Sequence, residues 1–432
     1  LKGARARPGV GLVHPYPYPM GEVTSTHACV EVVNCEPPCA PASPPLPLLE
    51  LPGQEEVEAN LLQWEREARE AVNIAGGGHL PPMERRLEDY TSREEGVLLE
   101  LLRSGAIALL RGSYFDVQRA HWPLIPQRRE DILTEYFWSP EEAIEQWRCA
   151  GATFFLAISY TWVTPKAPDP RGYHLASLAH IIAEWRRQMG MSSVGVFLDF
   201  ASMHQSERNP AQEVLYWRAL CAMDVVFSHE HTAVLRLTGL PCGVGRQCRQ
   251  RGWPFFERVA SDSKQDAWGK IFEFDGDFVS KKLREPLDLS WSGRFAARRG
   301  PPILPSDFEL RLASMDFGRA ADVPIILAMH RALFGVVARA SESLTFLRLD
   351  WGTEEVRQLV RALPYFRRLR ELSLNGNSRI AEEGGLLVLA ALPHLHELEV
   401  LGLAFCGLPM QTRSKVELAW RANGKAKGVL WL

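Results

Sequence analysis

The 432-residue chain predicts an α/β fold: a doubly wound, mostly parallel sheet in the middle, a short repeating unit of strand and helix toward the end, and a proline-rich stretch ahead of both. Three observations predict it. Short apolar runs alternate with helical stretches from residue 153; leucines recur at similar offsets after residue 344; and prolines crowd residues 36–52.

The stretch EPPCAPASPPLPLLELP fixes φ repeatedly and removes backbone donors, which blocks both helix and sheet ladders, so residues 1–55 read as a disordered leader. Residues 56–150 read as a helical N-terminal extension. EVEANLLQWEREAREAV places Val57, Leu61, Leu62 and Trp64 near one face among charges, and REEGVLLELLRSG repeats the pattern. A short strand, AIALLRGSYF, follows. Ser139-Pro140-Glu141-Glu142 then reads as a capping box opening the helix EEAIEQWRC.

Residues 151–290 carry the central α/β domain. Its strands read TFFLAISY, VGVFLDF, TAVLRLT and KIFEFDG, and the helices between them read HLASLAHIIAEWRRQM, AQEVLYWRALCAMDVVF and PFFERVAS. Four apolar strands joined by three helical crossovers are expected to lie parallel, with helices on both faces. Ligands bind such sheets at the carboxyl ends of the strands, which singles out Ser159 to Trp162 and Asp199 to Gln205.

Residues 305–432 hold the repeats, clearest over 344–408. Leu344, Leu347 and Leu349 recur as Leu369, Leu372 and Leu374 with Asn377, then as Leu398, Leu401 and Leu403 with Cys406 and Leu408, at spacings of 25 and 29 residues. Leu363-Pro364 and Leu392-Pro393 mark a shared helical half. The pattern is a leucine-rich repeat, an architecture whose face suits a protein partner. Three repeats are close to the minimum for a stable stack, so this piece is expected to lean on the α/β domain or on a degenerate repeat around FELRLASM and IILAMHRAL.

Charge and cysteine usage narrow the setting. The 49 basic and 52 acidic residues are mixed along the chain, for a net charge of −3, with no basic footprint for nucleic acid or an anionic membrane. No apolar run is read as reaching the roughly 18–20 residues of a membrane span, and prolines stand where a signal peptide needs an apolar stretch. The eight cysteines (Cys29, Cys35, Cys39, Cys149, Cys221, Cys242, Cys248, Cys406) form no framework, which suits reduced thiols and a cytoplasmic location.

SYTW (159–162), LDFASMHQ (198–205) with ERN just after, and RGWPFFE (251–257) occur in that order at suitable distances. Together they resemble the fungal heterokaryon-incompatibility (HET) domain, a relative of TIR domains, over a quarter to a third of the chain. The segment departs from that pattern at Ser202, where a cysteine is usual, and His204, where an asparagine is usual; the loop VTPKAPDPRG is closer to algal and protist relatives. The resemblance implies a flavodoxin/TIR-like sheet, an intracellular signalling or defence-type role and self-association through the α/β domain. It also implies an NAD glycohydrolase with Glu257, four residues after Trp253, as the catalytic carboxylate, NAD being substrate rather than cofactor. Breaking the nicotinamide–ribose bond develops a cation at the sugar, which a buried carboxylate stabilises. Ser159 and Asp199 would share the ligand site, Tyr160, Trp162, Trp253 and Phe255 would wall its rings, and Arg251 would meet the diphosphate.

Each of these residues has a plainer reading. A helical glutamate is most often a solvated charge, Asp199 could cap the next turn, and the tryptophans could be core aromatics. His229-Glu230-His231 with His204 reads as histidines complementing a helix dipole more than as a metal site, Cys242 and Cys248 lack zinc-type spacing, no nucleophile elbow occurs, and the glycine-rich stretch GLPCGVGRQCRQRG reads as a mobile loop over the sheet edge. A non-enzymatic scaffold, self-associating and binding partners through its repeats, is therefore the alternative to the enzyme.

Overall fold

In a computed structural model of the chain, the residues described are 50–75, 84–120, 126–164, 167–241, 250–275, 289, 296–425 and 427–432. The expected leader up to residue 49, the glycine-rich loop over 242–249 and most of 276–295 lie outside them.

The fold is α/β with two sheets. The first contains β1 (Leu110–Arg111), β2 (Phe155–Tyr160), β3 (Gly195–Phe197), β4 (Ala233–Leu237) and β5 (Ile271–Phe274) in the order β1-β3-β2-β4-β5. Strands β3, β2, β4 and β5 are parallel, and β1 runs antiparallel on the edge of β3. Every β2 residue is buried, and the strand's alternation explains how. Leu156 and Ile158 pack with Leu175, Leu178 and Ile182 of the Tyr173–Gln188 helix. Phe155 and Ala157 face the other way, toward Val225 and Phe227 of Met223–Ser228 and Phe256 of Gly252–Asp262. Helices thus cover both faces.

Local sequence sets the helix ends. Ser139 Oγ accepts from the Glu142 N–H at 3.3 Å while the Glu142 carboxylate accepts from the Ser139 N–H at 3.2 Å, the expected capping box. Asn209 and Gln212 form a second, with both bonds at 2.9 Å. The stretch expected as one helix over 211–227 breaks at Cys221-Ala222 into Pro210–Leu220 and Met223–Ser228. A buried guanidinium accounts for the break: Arg85 donates to the Cys221 carbonyl at 2.6 Å and pairs with Asp224 at 2.9 Å. The strand expected over 106–115 shrinks to β1, because Gly112–Ala120 is helical and lays Tyr114 and Phe115 into the core beside the Tyr173–Gln188 helix.

The second sheet is parallel throughout: β6 (Ser343–Thr345), β7 (Glu371–Ser373), β8 (Val400–Gly402) and β9 (Val429–Trp431), in that order. Helices Thr353–Ala362, Ala381–Ala391 and Met410–Ala422 follow the first three strands. Leu344 pairs with Leu372 and Leu372 with Leu401, so the first interval is 28 residues, and the expected 25-residue alignment is corrected by three. Asn377 explains the register. Fully buried, it donates to the Phe346 and Leu374 carbonyls and accepts from the Leu349 and Trp351 N–H groups, tying two successive turns together.

The segments expected as a degenerate repeat form two helices instead, Pro305–Leu312 and Asp322–Ala340. The second corrects the membrane reading: its 19 residues, of mean hydropathy 1.5, are long and apolar enough to span, yet 56% of that stretch is buried inside the protein. Against it lies the Gln54–Ala75 helix, which delivers Val57, Leu61 and Trp64 to the core of the second sheet. Trp64 meets Phe334 edge-on at 5.7 Å and Tyr365 at 5.2 Å. The 56–150 extension is therefore shared among three cores, one on each face of the first sheet and one in the second, rather than packed as one piece.

Candidate functional site

A cavity of about 240 Å³ opens where β2 ends and β3 turns into the short helix Asp199–Ser202. Tyr160, Trp162, Asp199, Arg251, Trp253 and Glu257 all line it, and Ser159 stands directly behind Glu257. The structure brings the seven expected site residues together from three separate stretches of chain. Helical spacing does part of this: residues 253 and 257 are four apart on the Gly252–Asp262 helix, so they share the face turned to the strand ends. Phe255 is two residues on and points elsewhere, stacking on Phe308 at 5.2 Å, so its expected place against the ligand is corrected.

Glu257 is a buried carboxyl and not a solvated surface charge. Ser159 Oγ donates to its Oε2 at 2.6 Å. Burial pushes the Glu257 carboxyl up to about 8 against that bond, the charge of Asp199 adds to the rise, and Arg236 opposes it. A carboxyl raised this far favours its protonated form near neutral pH. A cationic ring entering beside it would draw the proton off, leaving a carboxylate where positive charge must be stabilised.

Asp199 sits half-buried at the other strand end. Burial raises its pKa, while the Tyr160 hydroxyl beside it, the Phe200 N–H at 2.6 Å and the Trp162 indole N–H at 2.9 Å pull it back. Trp162 is therefore fixed by its polar edge, and its ring meets Phe200 edge-on at 5.6 Å. Both plain readings of this pair hold in part: Asp199 starts a short helix, and Trp162 is a packed aromatic. Both also line the cavity. Gln205 closes the same side, donating to the Met203 carbonyl at 3.0 Å.

The far wall comes from residues 316–322, which the sequence did not single out. Gly252 N–H donates to the Asp316 carbonyl at 3.1 Å, and Asp316 N–H to the Gln250 carbonyl at 2.8 Å, pinning this segment beside the start of the Gly252–Asp262 helix. Gly252 has to be glycine here, because a Cβ would fall 2.0 Å from the Phe317 ring. Trp253 donates its indole N–H to Asp322 at 3.0 Å. Burial raises the Asp322 carboxyl, and that indole bond and Arg319 oppose the rise.

Three lining atoms separate this cavity from ordinary packing. Thr161 Oγ1, Arg251 Nε and Asp322 Oδ1 are buried with no hydrogen-bond partner. Each such group costs on the order of 1–3 kcal/mol unless something supplies its partner. A larger cleft of about 710 Å³ lies against the second sheet, lined by arginines such as Arg361 and Arg298, but these pair with Asp307 at 2.8 Å and Asp350 at 3.2 Å. Its lining contains no buried unpartnered side-chain atom among the described residues. The smaller cavity is thus the one with bonding left to give.

Other candidates are structural. His229 is buried, bonds to the Ser92 carbonyl at 3.0 Å and accepts from the His231 N–H, and burial pushes it down to about 3. His204 faces Glu130 at 3.0 Å, away from both. Among the described residues no group of three or more His, Cys, Asp or Glu side chains is placed to hold a metal ion. Compared with known proteins, the chain matches no family model, no curated protein and no solved structure.

Proposed function

We propose that the chain is a cytoplasmic signalling or defence-type protein whose HET/TIR-like domain cleaves the nicotinamide–ribose bond of NAD, with leucine-rich repeats that bind a protein partner. The observation that carries the reading is Glu257, a carboxyl buried at the strand ends and lining a cavity walled by Trp162 and Trp253. The order of the parallel strands, β3-β2-β4-β5, fits a doubly wound flavodoxin/TIR-like sheet whose switch point lies between β2 and β4. In the second sheet, the 28- and 29-residue register and the Asn377 ladder support a leucine-rich repeat. At about 240 Å³ the cavity is smaller than the roughly 300–1,000 Å³ usual for small-molecule sites. It therefore suits the nicotinamide and ribose, with the diphosphate leaving past Arg251.

In this mechanism the substrate's positive ring displaces the Glu257 proton, and the carboxylate stabilises the charge that forms on ribose as nicotinamide departs. Nicotinamide leaves without needing a proton, and water then adds to the sugar, its C–O bond replacing the broken C–N bond and its proton passing to the Glu257 carboxylate. The experiment is nicotinamide release from NAD by the purified chain at high concentration, parent against Glu257→Ala. Release is expected to fall by about 10²–10³-fold in the variant with folding retained.

A second reading, a self-associating scaffold without catalysis, draws on the exposed Phe405, Met410 and Leu418 of the repeats, which are 80%, 84% and 67% accessible. Absence of release from the parent, even when artificially clustered, would favour it.

A further inference from the structure

We infer that Asp322, from outside the central domain, reads the leaving base: its free carboxylate oxygen accepts an N–H from a carboxamide on that base and rejects the corresponding carboxylate. The inference rests on the hydrolase reading for the position of the ribose, and on the cavity wall for everything else.

Asp322 is only 8% exposed. One of its oxygens is occupied by the Trp253 indole N–H at 3.0 Å, and the other lines the cavity without a partner. A carboxylate can only accept hydrogen bonds, so the missing partner is a donor. Trp253 and Glu257 are one turn apart on one helix, about 5.4 Å along the axis, and Asp322, bonded to the Trp253 ring edge, lines the same cavity as both. With ribose against Glu257, the base it releases lies along Trp253, and a substituent on the base's outer edge meets Asp322. A carboxamide presents an N–H there. A carboxylate in its place would set two anions together in a buried setting.

Trp253 was expected as a ring wall and Asp322 was not expected at all, so the pair acts as a gauge, one member measuring the flat face and the other the polar edge. Arg319 lies near Asp322 but forms no salt bridge with it, which leaves the free oxygen for the ligand.

The test compares NAD with its nicotinic acid counterpart, in the parent and in Asp322→Asn. Asparagine keeps an acceptor for the Trp253 indole and turns the free oxygen into a donor. The parent is expected to prefer NAD by at least about tenfold in kcat/KM, with the difference in KM rather than kcat. Asp322→Asn is expected to bring that ratio to within about threefold of one or to invert it. An unchanged ratio in a folded, active variant would mean that Asp322 merely holds Trp253, and equal use of both substrates by the parent would overturn the inference without any variant.

Binding of nicotinamide riboside and nicotinic acid riboside to Glu257→Gln, followed by calorimetry, separates this inference from the hydrolase reading. An amide preference that Asp322→Asn abolishes, together with no release of nicotinamide from NAD by the parent chain, would uphold Asp322 and sink the hydrolase. Failure of both ribosides to bind at millimolar concentration would sink the assignment of Asp322.

Discussion

Asn377 and the cavity beside Glu257 treat buried polarity in opposite ways. The asparagine is fully buried, and its donors and acceptors are spent on four backbone groups of neighbouring turns. The cavity holds three buried atoms with no partner at all. Buried polar groups in a purely architectural setting are satisfied by the fold itself. Where a fold leaves several unsatisfied together, around a hollow, the missing partners are best sought in a ligand. The contrast separates a stabilising device from a site without reference to any relative.

Substitutions can break that contrast. The largest effect on stability is expected from Asn377→Ala, which strands buried backbone groups in two turns and should lower unfolding free energy by about 3–5 kcal/mol in urea titrations. Gly252→Ala comes next: its new methyl collides with Phe317, so a loss of about 1–3 kcal/mol is expected together with weaker ligand binding.

Glu257→Gln should act in the opposite sense. The folded carboxyl keeps its proton up to about pH 8, while the unfolded one loses it near the ordinary glutamate value, so stability falls as pH rises between the two. Glutamine removes that slope. The variant's unfolding free energy should therefore gain on the parent between pH 5 and pH 8, on the order of 2–4 kcal/mol across the window, and an unchanged difference would mean that Glu257 is not protonated in the fold. Tyr160→Phe is the smallest. Its hydroxyl only steadies the neighbouring Asp199, so removal should change stability by less than about 1 kcal/mol, while a larger loss on ligand binding than on folding would show the hydroxyl at work.

Much of the site was legible in the sequence because its parts lie at strand ends and at helical spacing. SYTW follows β2, Asp199 follows β3, and Trp253 and Glu257 share a helix face, so pattern alone gathered them. Phe255 was misplaced because the motif was read as a block and not as a helix turning about 100° per residue. The 316–322 wall was invisible for a different reason. It joins the site through backbone pairing of Asp316 with Gln250 and Gly252, more than sixty residues away in sequence, and no periodicity signals such a contact. The repeat register slipped because Phe346, at the position of Leu374 and Leu403, is not a leucine, and Leu347 and Leu349 offered a closer match three residues off. Amphipathicity gave the Gln54–Ala75 helix a buried face without saying which core it would meet.

The Asp322–Ala340 helix bears on how the protein can be divided. It begins with the carboxylate that faces the cavity and ends at the strand that opens the second sheet, and along the way it holds the Gln54–Ala75 helix. The boundary that composition suggests, near residue 290, therefore falls between the cavity and its own wall. A fragment ending there would keep Glu257 but lose Phe317 and Asp322, and a fragment beginning there would lack the Trp64 that packs into the core of the second sheet. Two regions that look modular in sequence are, in cross-section, one piece of masonry with a shared stone.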